Sequence, residues 1–223
     1  MNKELFIKAI SRFSAGLLLM MGLLFIPAGT WKYPQGWMLI GILFIPMFVT
    51  GLVMIKKNPY LLEKRLNVKE EEGEQRQVIA LSGIMFLAAF IFAGLSFRYQ
   101  WLMLPFSVSV IAAIVFLAAY ALYAEVLREN TYLSRTIEVQ ENQKVIDTGL
   151  YGLVRHPMYM ATLFLFLAMP LVLGSLISFL IMLAYIPIIV KRLLNEEKVL
   201  ADGLEGYKEY MEKVKCRLIP YVW

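Results

Sequence analysis

The chain is poor in the residues that build cross-links and metal centres. It has one cysteine, Cys216, and one histidine, His156, among 223 residues. A single cysteine excludes an intramolecular disulfide and argues against a thiolate metal cluster. A single histidine argues against a His-rich metal site. Charge is scarce as well: 17% of residues are charged, 60% are hydrophobic, and the mean hydropathy is +0.65. That balance excludes an ordinary soluble domain and points to a polytopic membrane protein. The net charge of +5 comes without a basic stripe interleaved with aromatics, so nucleic acid is not an expected partner. No internal repeat is evident. Lys3, Lys8 and Arg12 precede an apolar run, 13–29, that lacks a small-x-small cleavage pattern. It reads as a retained helix rather than a signal peptide.

What the chain has in abundance is apolar runs. Four spans are expected, at 13–31, 37–55, 78–97 and 101–124, the last containing Pro105. Each is long enough to cross about 30 Å of hydrocarbon at about 1.5 Å per residue. Trp31, Trp37, Tyr99 and Trp101 stand at span ends, as an aromatic belt would. The run 158–190 is too long for one span and short for two. Gly174-Ser175 near its middle predicts a tight helical hairpin, with Pro170 and Pro187 bending its arms.

The charges test this topology. With the N-terminus in the cytoplasm, 20 of the 22 Lys and Arg fall inside, and only Lys32 and Arg98 fall outside. All 17 acidic residues also lie inside or, for Glu125, at its border. The expectation is an all-α membrane protein of about six helical segments, with both termini cytoplasmic. Of the two long cytoplasmic loops, the first, 56–77, suits a short interfacial helix around Tyr60, Leu61, Leu62 and Leu66. Its acidic run from Glu70 to Glu74 reads as a solvated turn.

Chemistry concentrates where the second loop meets the hairpin. Asp147 to Tyr159 reads DTGLYGLVRHPMY and holds the only histidine. Pro157 suits the first position of a helix, whose N-terminus attracts anionic groups. Residue types alone leave two readings open here: an anion-binding site, or a snorkelling Arg155 beside a capping His156. A second cluster follows the hairpin. Arg192 and Glu196 are four apart and share a helix face, with Glu197 beside it. A hairpin would bring this cluster back to the level of His156. Tyr207 and Tyr210 share a face of a following amphipathic helix and read as packing. Leu218, Ile219, Pro220 and Trp223 read as an apolar plug.

These residues resemble the isoprenylcysteine carboxyl methyltransferase family and its phospholipid N-methyltransferase relatives. The resemblance is carried by G-x-Y-x-x-x-R-H-P-x-Y at Gly149 to Tyr159 and by R-x-x-x-E-E at Arg192 to Glu197. The final Tyr-x-x-Tyr and R-L-I-P segments also fit. It covers the chain from about residue 128 onward, which divides a four-span region, 1–127, from a methyltransferase core, 128–223.

The resemblance implies S-adenosylmethionine as cofactor and a lipid-like or prenylated acceptor at the membrane surface. It implies cofactor contacts at Tyr151, His156, Pro157, Met158, Tyr159, Glu196 and Glu197. A further cofactor-lining segment is implied at Gln143, Lys144, Val145 and Ile146, with Gln140 nearby. Arg192 matches a residue beside the reacting group of the acceptor. Three positions depart from the common pattern: Leu150 for Pro, Ala161 for Gly and Gln143 for His. Carboxyl O-methylation and amine N-methylation both remain open. Membrane sterol reductases, which resemble the family in their C-terminal region but use NADPH, and a non-catalytic scaffold are the alternatives.

Overall fold

Hydropathy locates the part of a helix that lies in lipid, and the helices run beyond it. A computed structural model of the chain describes residues 3–57, 59–66, 73–133 and 139–223. The acidic stretch Glu70 to Glu72 lies outside the described residues. α1 (Lys3–Ala28) carries its three cations on helical turns ahead of the apolar run, and Gly29 ends it in a left-handed conformation. α2 (Pro34–Lys57) begins on a proline and ends on two lysines, both favourable places for those residues. The short helix expected in the first loop is α3 (Pro59–Leu66). α4 (Gly73–Tyr99) and α5 (Phe106–Glu129) complete the N-terminal four spans.

α5 starts five residues later than expected. Pro105 caps it instead of lying within it. The residues before Pro105 are used elsewhere, in an antiparallel bridge between Met103 and Ser175.

The hairpin follows, with unequal arms. α6 (Pro157–Val172) has 16 residues, about 24 Å, which is less than the hydrocarbon thickness. The returning arm is α7 (Leu176–Met182) and α8 (Tyr185–Gly203), an apolar stretch of 28 residues with a break at Leu183-Ala184. Pro187 explains the break, because it offers no N–H to the carbonyl one turn earlier. At the tip, Gly174 takes φ +71° and the Ser175 side chain accepts from the Ser178 N–H at 3.1 Å, capping α7.

Four hydrogen bonds hold that tip. The Tyr33 hydroxyl donates to the Leu173 carbonyl at 2.7 Å, and the Leu104 N–H donates to Gly174 at 2.8 Å. Ser175 Oγ bonds Ser96 Oγ at 3.0 Å, and Ser178 Oγ donates to the Ala89 carbonyl at 2.8 Å. With the tip fixed at one end of the bundle, both arms return their polar ends to the other. One buried cluster joins α1, α2, α4, α5 and α6, and a second joins α4, α6, α7 and α8.

α9 (Tyr207–Lys213) packs its tyrosines inward as one face. The chain then returns along the start of α6. Leu218 is buried in the second cluster with Ile219 against it, as an apolar plug would be. Trp223 stays at the surface, with the Arg217 guanidinium 5.4 Å from its ring. Among the described residues there are helices and turns and no named strand. Among the described residues five helical stretches are long and apolar enough to cross a membrane, and the chain is an integral, multi-pass membrane protein.

Candidate functional site

The difference in helix length creates a recess. α5 and α6 pack antiparallel and are level at the tip, but α5 has 24 residues and α6 has 16. The start of α6 therefore sits about 12 Å below the end of α5. The segment 139–156 crosses this step, and a cavity lies beneath it.

Two anchors hold that segment. The Glu129 carboxylate at the end of α5 accepts from the Leu150 N–H at 3.2 Å and from the Thr148 hydroxyl at 3.1 Å. It thereby caps the short 3-10 helix Gly149–Gly152. Gly149 is required beside it: φ is +50°, and a Cβ there would lie 2.2 Å from a Glu129 oxygen. On the other side, Lys213 Nζ donates to Asp147 Oδ2 at 2.7 Å. This bond holds the Asp147 carboxyl below its ordinary range. The Tyr210 hydroxyl donates to the Tyr151 carbonyl at 2.7 Å.

Below the segment lies a buried ionic cluster centred on Glu197, which is 4% exposed. Arg155 donates to Glu197 Oε1 from Nε at 2.8 Å and from a terminal nitrogen at 2.7 Å. His156 Nε2 lies 3.3 Å from the same oxygen, and Arg217 Nε donates to Oε2 at 2.9 Å. A carboxylate only accepts, so His156 carries its proton on Nε2. Arg155 also donates to the Val214 carbonyl at 2.9 Å. The N–H groups of Arg155 and His156 donate to Cys216 and Arg217, both at 2.9 Å. The C-terminal strap is thus bound edge-on to the R-H-P motif.

The snorkelling and capping reading of these two residues does not hold. Arg155 points inward and does not snorkel. His156 precedes α6, but its ring makes no capping bond.

Ten of the twelve expected cofactor residues, together with Arg192, line the cavity. They are Gln143, Lys144, Val145, Ile146, Tyr151, His156, Pro157, Met158, Tyr159 and Glu196. Glu196 and Arg192 meet on one group: the Tyr159 hydroxyl donates to the Glu196 carboxylate and accepts from Arg192 Nε at 3.1 Å. The Tyr159 ring stacks on His156 with centroids 5.6 Å apart.

Two expected residues stand elsewhere. Glu197 is turned from the cavity wall into the ionic cluster by its bonds to Arg155 and Arg217, while Glu196 faces the cavity. Gln140 lies behind the wall, where its amide donates to the Tyr132 carbonyl and its N–H donates to Gln143 Oε1 at 2.9 Å.

The sequence reading missed part of the lining. Leu200, Leu204, Tyr207 and Tyr210 form the far end, and Asn130 and Tyr132 form the rim under α5. Leu200 had a signal, since it repeats the four-residue spacing of Arg192 and Glu196. Asn130 had none: its amide donates to the Tyr151 hydroxyl at 2.9 Å across 21 residues.

The cavity thus runs from a charged end at Arg192 to an apolar end at Leu200 and Leu204. Among the described residues no group of His, Cys, Asp and Glu is placed to hold a metal ion.

Comparison with known proteins bears on the same region. Residues 110–202 match the isoprenylcysteine carboxyl methyltransferase (ICMT) family. The Mus musculus Delta(14)-sterol reductase TM7SF2 is 31% identical over 91 residues. That match covers 40% of this chain and 22% of the reductase, so the chain spans about a fifth of that relative's length. A solved eukaryotic intramembrane Ras methyltransferase, isoprenylcysteine carboxyl methyltransferase, shares the fold with a TM-score of 0.60 at 17% identity. The superposition covers 96% of this chain and 77% of that one. Both polar motifs fall within the matched stretch, and over it the chain is similar to the isoprenylcysteine carboxyl methyltransferase family.

Proposed function

We propose that this chain is an S-adenosylmethionine-dependent methyltransferase of the membrane, acting on a lipid-like or prenylated acceptor, with carboxyl O-methylation as its reaction. One observation carries the reading. The R-H-P and R-x-x-x-E-E motifs, 30 residues and more apart in sequence, converge on one recessed cavity that is charged at one end and apolar at the other. A nucleoside joined to a charged amino acid has that same asymmetry. The positive-inside pattern supports a cytoplasmic side for the cavity and both termini. In this reading 128–223 is the catalytic core and 1–127 its membrane support.

When bound, the cofactor supplies an electrophilic methyl group on a sulfonium. A carboxylate acceptor is ionised at neutral pH and needs no base. What remains for the protein is alignment and exclusion of water. Arg192 orients the acceptor carboxylate with its planar fork, held by the Tyr159 hydroxyl. Glu196 would hold the cofactor, and the N-terminus of α6 at Pro157 would favour its carboxylate. The recess lets an acceptor reach the site while its apolar chain stays in lipid.

Calorimetry in detergent tests this with S-adenosylmethionine, S-adenosylhomocysteine and NADPH on the parent protein, His156→Ala and Glu196→Ala. Saturable binding of the first two, weakened at least tenfold by Glu196→Ala, is expected. Binding of NADPH instead would transfer the site to the reductase reading, which the 31% identity to the sterol reductase favours. An amine acceptor would need to lose a proton first, so a rate rising with pH would move the reaction to N-methylation.

A further inference from the structure

Tyr207 presents a feature that packing does not explain. It is 4% exposed and lines the cavity, yet its hydroxyl has no hydrogen-bond partner among the described residues. Buried hydroxyls are almost always bonded, and leaving one unpaired costs stability. The neighbouring Tyr210, on the same helix, is satisfied by the Tyr151 carbonyl. So the helix is seated as a packed element should be, and of the two hydroxyls only that of Tyr207, a residue of the cavity wall, is left without a bond.

The surroundings say what that bond would be to. Along α8, Arg192, Glu196 and Leu200 stand one turn apart and make a ladder of about 12 Å from charged to apolar. Tyr207 packs with Leu204, Val145 and Leu200 at the apolar end. Burial first, and after it the carboxylates of Glu197 and Glu196, keep the phenol neutral and able to donate, against the opposing charge of Arg155. A ligand with a flat apolar ring next to hydroxyl groups fits this order. The ring fills the apolar end, and the hydroxyls fall at the border where Glu196 accepts and Tyr207 both donates and accepts.

We infer that Tyr207 and Glu196 together bind the ribose hydroxyls of an adenosine-containing ligand, so that Tyr207, from α9, is a binding residue of the cofactor site. This rests on the methyltransferase reading above.

The test uses the full-length protein with S-adenosylhomocysteine and its 2′-deoxy and 3′-deoxy analogues, on the parent, Tyr207→Phe and Tyr210→Phe. Calorimetry gives affinities, and melting without ligand reports the fold. Tyr207→Phe is expected to melt no lower than the parent, since it removes an unbonded hydroxyl, and to bind S-adenosylhomocysteine about tenfold more weakly. One deoxy analogue should lose affinity for the parent and lose far less for Tyr207→Phe. Tyr210→Phe should melt lower, as its bond is internal. Affinity within twofold of the parent, or deoxy losses that add in full to the Tyr207→Phe loss, would overturn the inference while the methyltransferase reading stands. No binding of S-adenosylhomocysteine by the parent would overturn both.

Discussion

At the scale of single residues, adjacent glutamates do different work. Glu196 faces the cavity, and Glu197 neutralises two arginines and meets the histidine beneath it. Removing Glu197 leaves buried cations without a counter-charge. Glu197→Ala should therefore cost about 3–5 kcal/mol, read as a large drop in melting temperature without ligand. Arg192 should behave the other way. Arg192→Lys keeps the charge but loses the fork, and the expected outcome is a turnover about 10²-fold lower with cofactor affinity within twofold. Unchanged turnover would remove Arg192 from the reaction. Gly149→Ala should destabilise the fold, because the position is left-handed (φ +50°) and the new Cβ would push the Glu129 carboxylate off its bonds. About 1–3 kcal/mol for the conformation is the minimum expected loss.

At the scale of elements, α9 and the segment 139–152 close the cavity against each other, and their tyrosines make that closure sensitive to alkali. Burial raises the phenols of Tyr151, Tyr207 and Tyr210 above the ordinary value of 10.0. A raised folded value means that the unfolded chain releases these protons first. The stabilisation is complete below pH 10 and falls as pH rises through the window between the ordinary and the folded values. Melting curves taken between about pH 8 and 11 should hold steady and then decline, and the decline should be shallower in Tyr207→Phe.

These elements also show how legibility varied. Span positions were readable because hydropathy is a local sum. The hairpin turn at Gly174-Ser175 was readable from its residue types. The start of α5 was not, because Leu102 to Leu104 left the helix to pair with a turn some 70 residues away. The roles of Tyr207 and Tyr210 were not separable either: the same spacing serves one bonded and one unbonded hydroxyl.

At the scale of the molecule, the positive-inside pattern makes a topological prediction. In a background without Cys216, a cysteine at Lys215 should be blocked by an impermeant thiol reagent only in inside-out vesicles, and one at Lys32 only in right-side-out vesicles. The reverse would overturn the cytoplasmic placement of the site. The recess beside the end of α5 belongs to this scale too, since it depends on two helix lengths and on a tip that sets them level.

Composition alone determined that the chain lives in a membrane, because too few polar residues exist to cover a soluble surface. The motif residues and their spacing determined that Arg192 and Glu196 would share a face, since helix periodicity is a property of the backbone. Only the tertiary structure decided which glutamate faces the cavity, what holds Arg155, and which tyrosine hydroxyl is left without a bond. Those outcomes depend on partners brought from tens of residues away, and no local pattern encodes which partner arrives first.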